Sequence, residues 1–226
     1  MSDADLLSNA GDDKKKRKAA QQIIEKRNRF RDALAAAQKA ASKSDDPIKV
    51  LNAVASYGRE NEANGVAVTF GAVKGGSVAE TGANNGRPLN YNADGSISAN
   101  ILVTFKEGLK GNDLTIAVGH EGQHVADRQG FALAASSYLA AGYDQDVVFN
   151  SRFNTTVQTT ELRAYRVSSF LAQGLGLPNL EQSGNRIWDS GWRQADRATL
   201  RDRAINRFLS TSSTYNQKLN NRGFPN

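Results

Sequence analysis

The chain has no cysteine and only two histidines among its 226 residues. The first absence excludes disulfides and thiolate-bound metal, so the fold depends on neither an oxidising nor a reducing compartment. Long apolar runs are also missing. None approaches the ~20 residues that a membrane-spanning helix needs. The opening "MSDADLLSNAGDDKKKRK" carries charge with no apolar stretch behind it, which argues against a cleavable secretion signal.

Acidic residues are outnumbered, and the net charge is +6. The densest basic run, "KKKRK" at Lys14–Lys18, lies near a terminus and reads as a solvated arm. In "RQADRATLRDRAINR" acids are interspersed among the arginines, as in ordinary surface pairing along a helix. Nucleic acid is therefore not the expected partner. An anionic protein or an anionic cell envelope suits the charge equally well.

Helical periodicity spans about 15–43, with Ile23, Ile24, Phe30 and Leu34 among alanines. The dozen residues before it are expected to lack structure. "SKSDDP" breaks the chain, which places a boundary near residue 45 between a basic arm (1–44) and a main body (45–226). "VAVTF" at Val66–Phe70 and "ILVTF" at Ile101–Phe105 are β-branched and aromatic and read as strands. Between them "NADGS" predicts a hairpin with short strands around Tyr91 and Ile97. After Asn112 helices dominate, with "DLTIAVGHEGQHVADRQ" and "FALAASSYLAAG" as two of them. The last amphipathic helix has Leu200, Ala204 and Phe208 along one face, and a polar tail wraps or frays after it. The expected class is α+β: a small antiparallel or mixed sheet with an edge strand, packed against helices.

Both histidines fall in one motif, "HEGQH", His120 to His124. On a helix, residues four apart share a face, so the two imidazoles can reach one ion. Glu121 lies beside that face, placed to touch a water without ligating the metal. Zinc in such a site acidifies water and polarises a carbonyl, with the glutamate as general base. Gly119 and Gly122 weaken the helix here, which predicts that another segment or a substrate passes close to its backbone. A third ligand is needed, and with no histidine left it must be a carboxylate. The candidates are Asp127, one turn past His124, and Glu161 in "TTELRAYRVSSF" on a later helix. Three ligands on one straight helix would be awkward, because positions 120 and 127 stand about 10 Å apart along its axis. Glu161 is favoured, and Asp127 is expected to accept an imidazole N–H instead. Tyr165, one turn beyond Glu161, ranks first as a stabiliser of developing negative charge, and Arg163 is available to clamp a carboxylate. Trp188 and Trp192 are expected to anchor a loop.

"HEGQH" followed by "ELRAY" resembles the zincin metallopeptidases of the gluzincin type. The resemblance covers roughly residues 95–175. It implies His120, His124 and Glu161 as zinc ligands and Glu121 as general base, within a metallopeptidase domain at 45–226. It also implies an edge strand along the cleft that pairs with an extended peptide, a role that "ILVTF" would take. The substrate implied is a peptide, a protein or the peptide part of peptidoglycan. The compact, cysteine-free, basic character is similar to effector metallopeptidases of bacterial secretion systems. That likeness implies export without a signal peptide rather than a cytoplasmic role, and a cognate immunity or inhibitor protein as partner.

Overall fold

The computed structural model describes residues 1–59, 62, 64–75 and 77–224. Its elements in chain order are α1 (Asp3–Ala10), α2 (Lys14–Ala41), α3 (Pro47–Ala55), β1 (Val66–Gly71), β2 (Ala79–Ala83), β3 (Leu89–Tyr91), β4 (Ile97–Ala99), β5 (Ile101–Lys106), α4 (Gly111–Ala140), α5 (Gln145–Asn150), α6 (Val157–Gly174), β6 (Asn179–Gln182), β7 (Asn185–Asp189) and α7 (Gln194–Thr211). The fold is α+β, as expected. Among the described residues no helix is long and apolar enough to cross a membrane.

The first residues depart from expectation by forming α1. Ser2 and Asp5 make a reciprocal capping box at its start. Asp3 then pairs with Arg27 and Arg31 of α2, which ties the short helix to the long one. The basic start of α2 opposes the helix dipole, and Asp13 offsets this by capping Lys15 and Lys16. The far half of α2 does not project. Ala37, Ala40 and Ala41 are buried against Val50 and Ala53 of α3 and against Val167 and Leu171 of α6.

The main sheet is mixed and three-stranded, in the order β1-β5-β2. β1 runs parallel to β5, and β2 runs antiparallel to it. "ILVTF" is therefore the central strand, not the edge. The physical sign is burial: Ile101, Val103 and Phe105 are wholly excluded from solvent, as a strand flanked on both sides requires. The edges are β1 and "AETGA", and the glycine and alanines of the latter carry little strand signal. The hairpin predicted at "NADGS" is present, with Tyr91 opposite Ile97.

α4 follows β5 after a short turn and packs Leu114, Val118 and Val125 into the same core as Ile101, Val103 and Phe105. It is one continuous helix through Ala140, where two were expected, because Gly130 sits on its exposed side and does not break it. A second hairpin, β6–β7, went unrecognised in the sequence. Its turn has Ser183 and Gly184 both at positive φ, the backbone that tight hairpins use. α7 buries Ile205, Phe208 and Leu209 together with Arg201, a stripe shifted from the expected Leu200 and Ala204. The tail beyond α7 wraps rather than frays. Phe224 is buried against Phe131, while residues 225 and 226 lie outside the described residues.

Candidate metal centre

The site lies where α6 crosses α4. The two glycines of α4 allow two close contacts. A side chain at Gly119 would run into Val167 and Leu171 of α6, and one at Gly122 into the Ala53 carbonyl of α3. Neighbouring segments do pass there, as the sequence predicts. From α3, the Ser56 hydroxyl donates to the Gly122 carbonyl at 2.7 Å. The Tyr57 hydroxyl donates to the Val118 carbonyl at 2.9 Å. α4 is thus held from behind while its opposite face opens into a cleft of about 490 Å³.

Glu161 of α6 points at both imidazoles. Its carboxylate oxygens lie 3.7 Å from His120 Nε2 and 3.6 Å from His124 Nε2. Those separations are long for hydrogen bonds. They are close to the ~3.4 Å that separates two ligands on a tetrahedral zinc with bonds near 2.1 Å. One ligand atom from each of His120, His124 and Glu161 lies within 4.8 Å of the other two. Glu161 Oε2 is buried without a hydrogen-bond partner, an arrangement that costs free energy unless something else meets that oxygen. Two imidazoles and one carboxylate with an orphaned oxygen form a donor set able to coordinate a divalent metal ion. With Glu121 between the histidines, the triad matches an HExxH-type zincin active site.

The tautomer of His120 follows from its neighbours. The Ser168 hydroxyl donates to the Ala164 carbonyl at 3.2 Å, so its oxygen is left to accept from His120 Nδ1 at 3.1 Å. The lone pair of His120 then lies on Nε2, facing Glu161. Burial, and then the charge of His124, lower the His120 pKa to about 3, which keeps the ring neutral. His124 is buried too, but Glu161 beside it raises its pKa to about 9. Burial pushes Glu161 up, yet the two histidines, His124 foremost, hold it below its ordinary value.

Glu121 is only 5% exposed. The Thr81 hydroxyl, from edge strand β2, donates to its Oε2 at 2.7 Å. Burial raises the Glu121 pKa against the lowering effects of His124 and Thr81. A carboxylate tuned upward is a stronger base near neutral pH. β2 also offers its backbone. Val78 and Asn84 bond to β5 through their main chains, so in an antiparallel ladder the alternate residues Ala79, Thr81 and Ala83 turn their N–H and C=O groups to the open side.

Tyr165 is buried with its ring edge-on to His120 at 4.5 Å. Tyr215, from the turn after α7, stands edge-on to Tyr165 with ring centroids 6.5 Å apart and lines the same cleft as Glu161. Burial first, then Glu161, raises the pKa of both phenols, so both remain protonated donors. Asp127 lies elsewhere. It accepts from Arg163 at 3.0 Å and from Gln123 at 3.1 Å, so the imidazole-orienting contact expected of it belongs to Ser168 at His120. Trp188 lies on strand β7 rather than in a loop, and it donates to the Leu177 carbonyl at 3.0 Å. Sequence reasoning missed Thr81, Ser168, Tyr215 and Arg128. Ser168, at i+7 from Glu161, shares its helix face and could have been found. Tyr215 had no signal in its polar tail.

Comparison of the chain with protein-family models, with curated proteins and with solved structures found no match in any of the three.

Proposed function

We propose that the protein is a zinc-dependent hydrolase that cleaves peptide bonds. The observation that carries this reading is the unpartnered carboxylate oxygen of Glu161 facing two imidazoles, with a separate buried glutamate, Glu121, beside them. His120, His124 and Glu161 would hold the metal. Zinc, when bound, acidifies water and polarises a carbonyl.

Glu121 takes a proton from the attacking water as that oxygen adds to the scissile carbonyl carbon. It then delivers the proton to the amide nitrogen as the C–N bond breaks. Thr81 holds one oxygen of Glu121 and leaves the other free for this work. Tyr165 and Tyr215, kept protonated and lining the cleft, would donate to the oxygen that gains negative charge. The open side of β2 supports an extended substrate through the main chain of Ala79, Thr81 and Ala83. Free peptides, proteins and peptidoglycan peptides all share that backbone. The net charge of +6 favours an anionic envelope as the setting.

The test has two parts. Protein purified without added metal or chelator should carry one zinc per chain. Glu121→Gln should keep that zinc and lose hydrolysis, because its carboxylate acts on water and not on the metal. Loss of zinc in this variant, or near-normal turnover, refutes the assignment. The reading extends to location: we infer an exported effector with a neutralising partner, in line with a fold that needs no disulfide. Directed to a bacterial periplasm it should be toxic, and much less so in the cytosol, with Glu121→Gln harmless in both.

A further inference from the structure

Most of the ion-paired arginines lie in the C-terminal half. Arg163 meets Asp127, Arg166 meets Asp202, Arg186 meets Glu181 and Asp189, and Arg197 meets Asp45. Arg128 is different. It is half-buried and lines the cleft, where among the described residues it is the one arginine or lysine. No carboxylate among the described residues pairs with it. Its Nη2 reaches the Thr81 carbonyl at 3.4 Å, long for a charge-assisted bond. Glu121 is the acid whose charge it senses, from a distance. A half-buried cation with no carboxylate beside it is costly, and a ligand that brings the missing anion lowers the cost.

We propose that Arg128 selects the substrate by receiving a carboxylate that lies one or two residues from the scissile bond. The inference rests on the peptidase reading above. Three observations carry it. First, Arg128 lies one turn beyond His124 on the same helix, about 6 Å along the axis. A peptide advances ~3.3 Å per residue, so that step is one or two residues from the reacting carbonyl. Second, Thr81 links the two groups: its hydroxyl holds Glu121, and its carbonyl takes Arg128. The base and the cation are thus set by the same residue of the edge strand.

Third, the guanidinium is pre-positioned against the tail residues that line the cleft. Its carbon sits 5.2 Å from the centre of the Phe224 ring. Phe224 is fixed by Asn154, which both donates to its carbonyl at 2.7 Å and accepts from its N–H at 3.0 Å. Gly223, also on the cleft wall, donates to the Thr155 carbonyl at 2.7 Å. A wall of pinned tail behind an unpaired arginine suits a chain that stops there with a free carboxylate. An acidic side chain near the scissile bond would bring the same chemistry, and the test separates the two sources.

The experiment offers the zinc-loaded protein a mixed peptide library with free C-terminal carboxylates and the same library amidated, with products mapped by mass spectrometry. The free-acid library should be cut within two residues of its terminus about 100-fold faster than the amidated one. A preference that instead follows Glu or Asp beside the cleaved bond in both libraries assigns the subsite to the side chain and still supports the proposal. Arg128→Gln should keep zinc bound and lose the preference. Arg128→Lys, which keeps the charge without the fork, should restore part of it.

Binding is read separately by calorimetry on zinc-loaded Glu121→Gln with and without Arg128→Gln. The acid library should bind about 100-fold more tightly than the amide only when Arg128 is present. Equal cleavage and equal binding of acid and amide libraries overturn the role of Arg128 and leave the peptidase reading standing. Carboxylate-dependent binding with no hydrolysis by the parent protein overturns the peptidase reading and leaves the subsite standing.

Discussion

Two acids cross the interface between α4 and α6, and they meet opposite surroundings. Asp127 reaches from α4 to the guanidinium of Arg163 on α6. Glu161 reaches from α6 to the two imidazoles of α4. Asp127 meets a permanent cation, and its demand for positive charge is met within the protein. Glu161 meets two imidazole nitrogens that can share an ion with it, although each acid has one oxygen buried with nothing to bond. Nearness to His124 does not make a carboxylate a metal ligand. What counts is which groups surround it, since a guanidinium cannot share an ion with a carboxylate and an imidazole can.

The contrast breaks most severely if Glu161 is removed. Glu161→Ala should weaken zinc binding by more than the ~100-fold that bounds the loss of an outer-sphere partner. Competition with a chelator of known zinc affinity measures it, and an unchanged affinity would return the third-ligand question to Asp127.

The next effect is linked to protons. Zinc must displace the proton that Glu161 helps His124 to keep, with the pKa raised from 6.5 to about 9. Protons compete with the metal below that value, so affinity should rise with pH by about tenfold per unit between pH 7 and 9 and then level off. Calorimetry in buffers of different ionisation enthalpy should find about one proton released per zinc near pH 7. No release there would mean that His124 is already neutral. His120, lowered to about 3, should contribute no proton in this window.

A smaller loss is expected from Ser168→Ala, which removes the acceptor at His120 Nδ1. About tenfold in zinc affinity is the expected size, at the lower end for an orienting partner. Smallest is Asp127→Ala. It breaks an ion pair whose arginine is 44% exposed, and should move zinc affinity less than about threefold. The melting temperature should fall by no more than about 4 °C. A drop in zinc affinity as large as that of Ser168→Ala would mean that Asp127 orients an imidazole after all.

The local part of this protein was legible in the sequence. Four-residue spacing places His120 and His124 on one face of a helix whatever surrounds it, because helical geometry is set by the backbone. With two histidines and no cysteine, the third ligand had to be an acid. The hairpin at "NADGS" and the α+β class are similarly local, written in turn chemistry and periodicity. The tertiary structure decided the rest. It placed β5 between β1 and β2, so that the weakly patterned "AETGA", not "ILVTF", forms the cleft edge. It brought Glu161 to both imidazoles and turned Asp127 to Arg163 instead. It brought Thr81 to Glu121 across 40 residues and Ser168 to His120 across 48. It also folded Tyr215 and Phe224 of the tail onto the cleft. Such contacts have no period to read, since they depend on how whole elements bury their apolar faces, and a side chain's partner is fixed only once those faces have met.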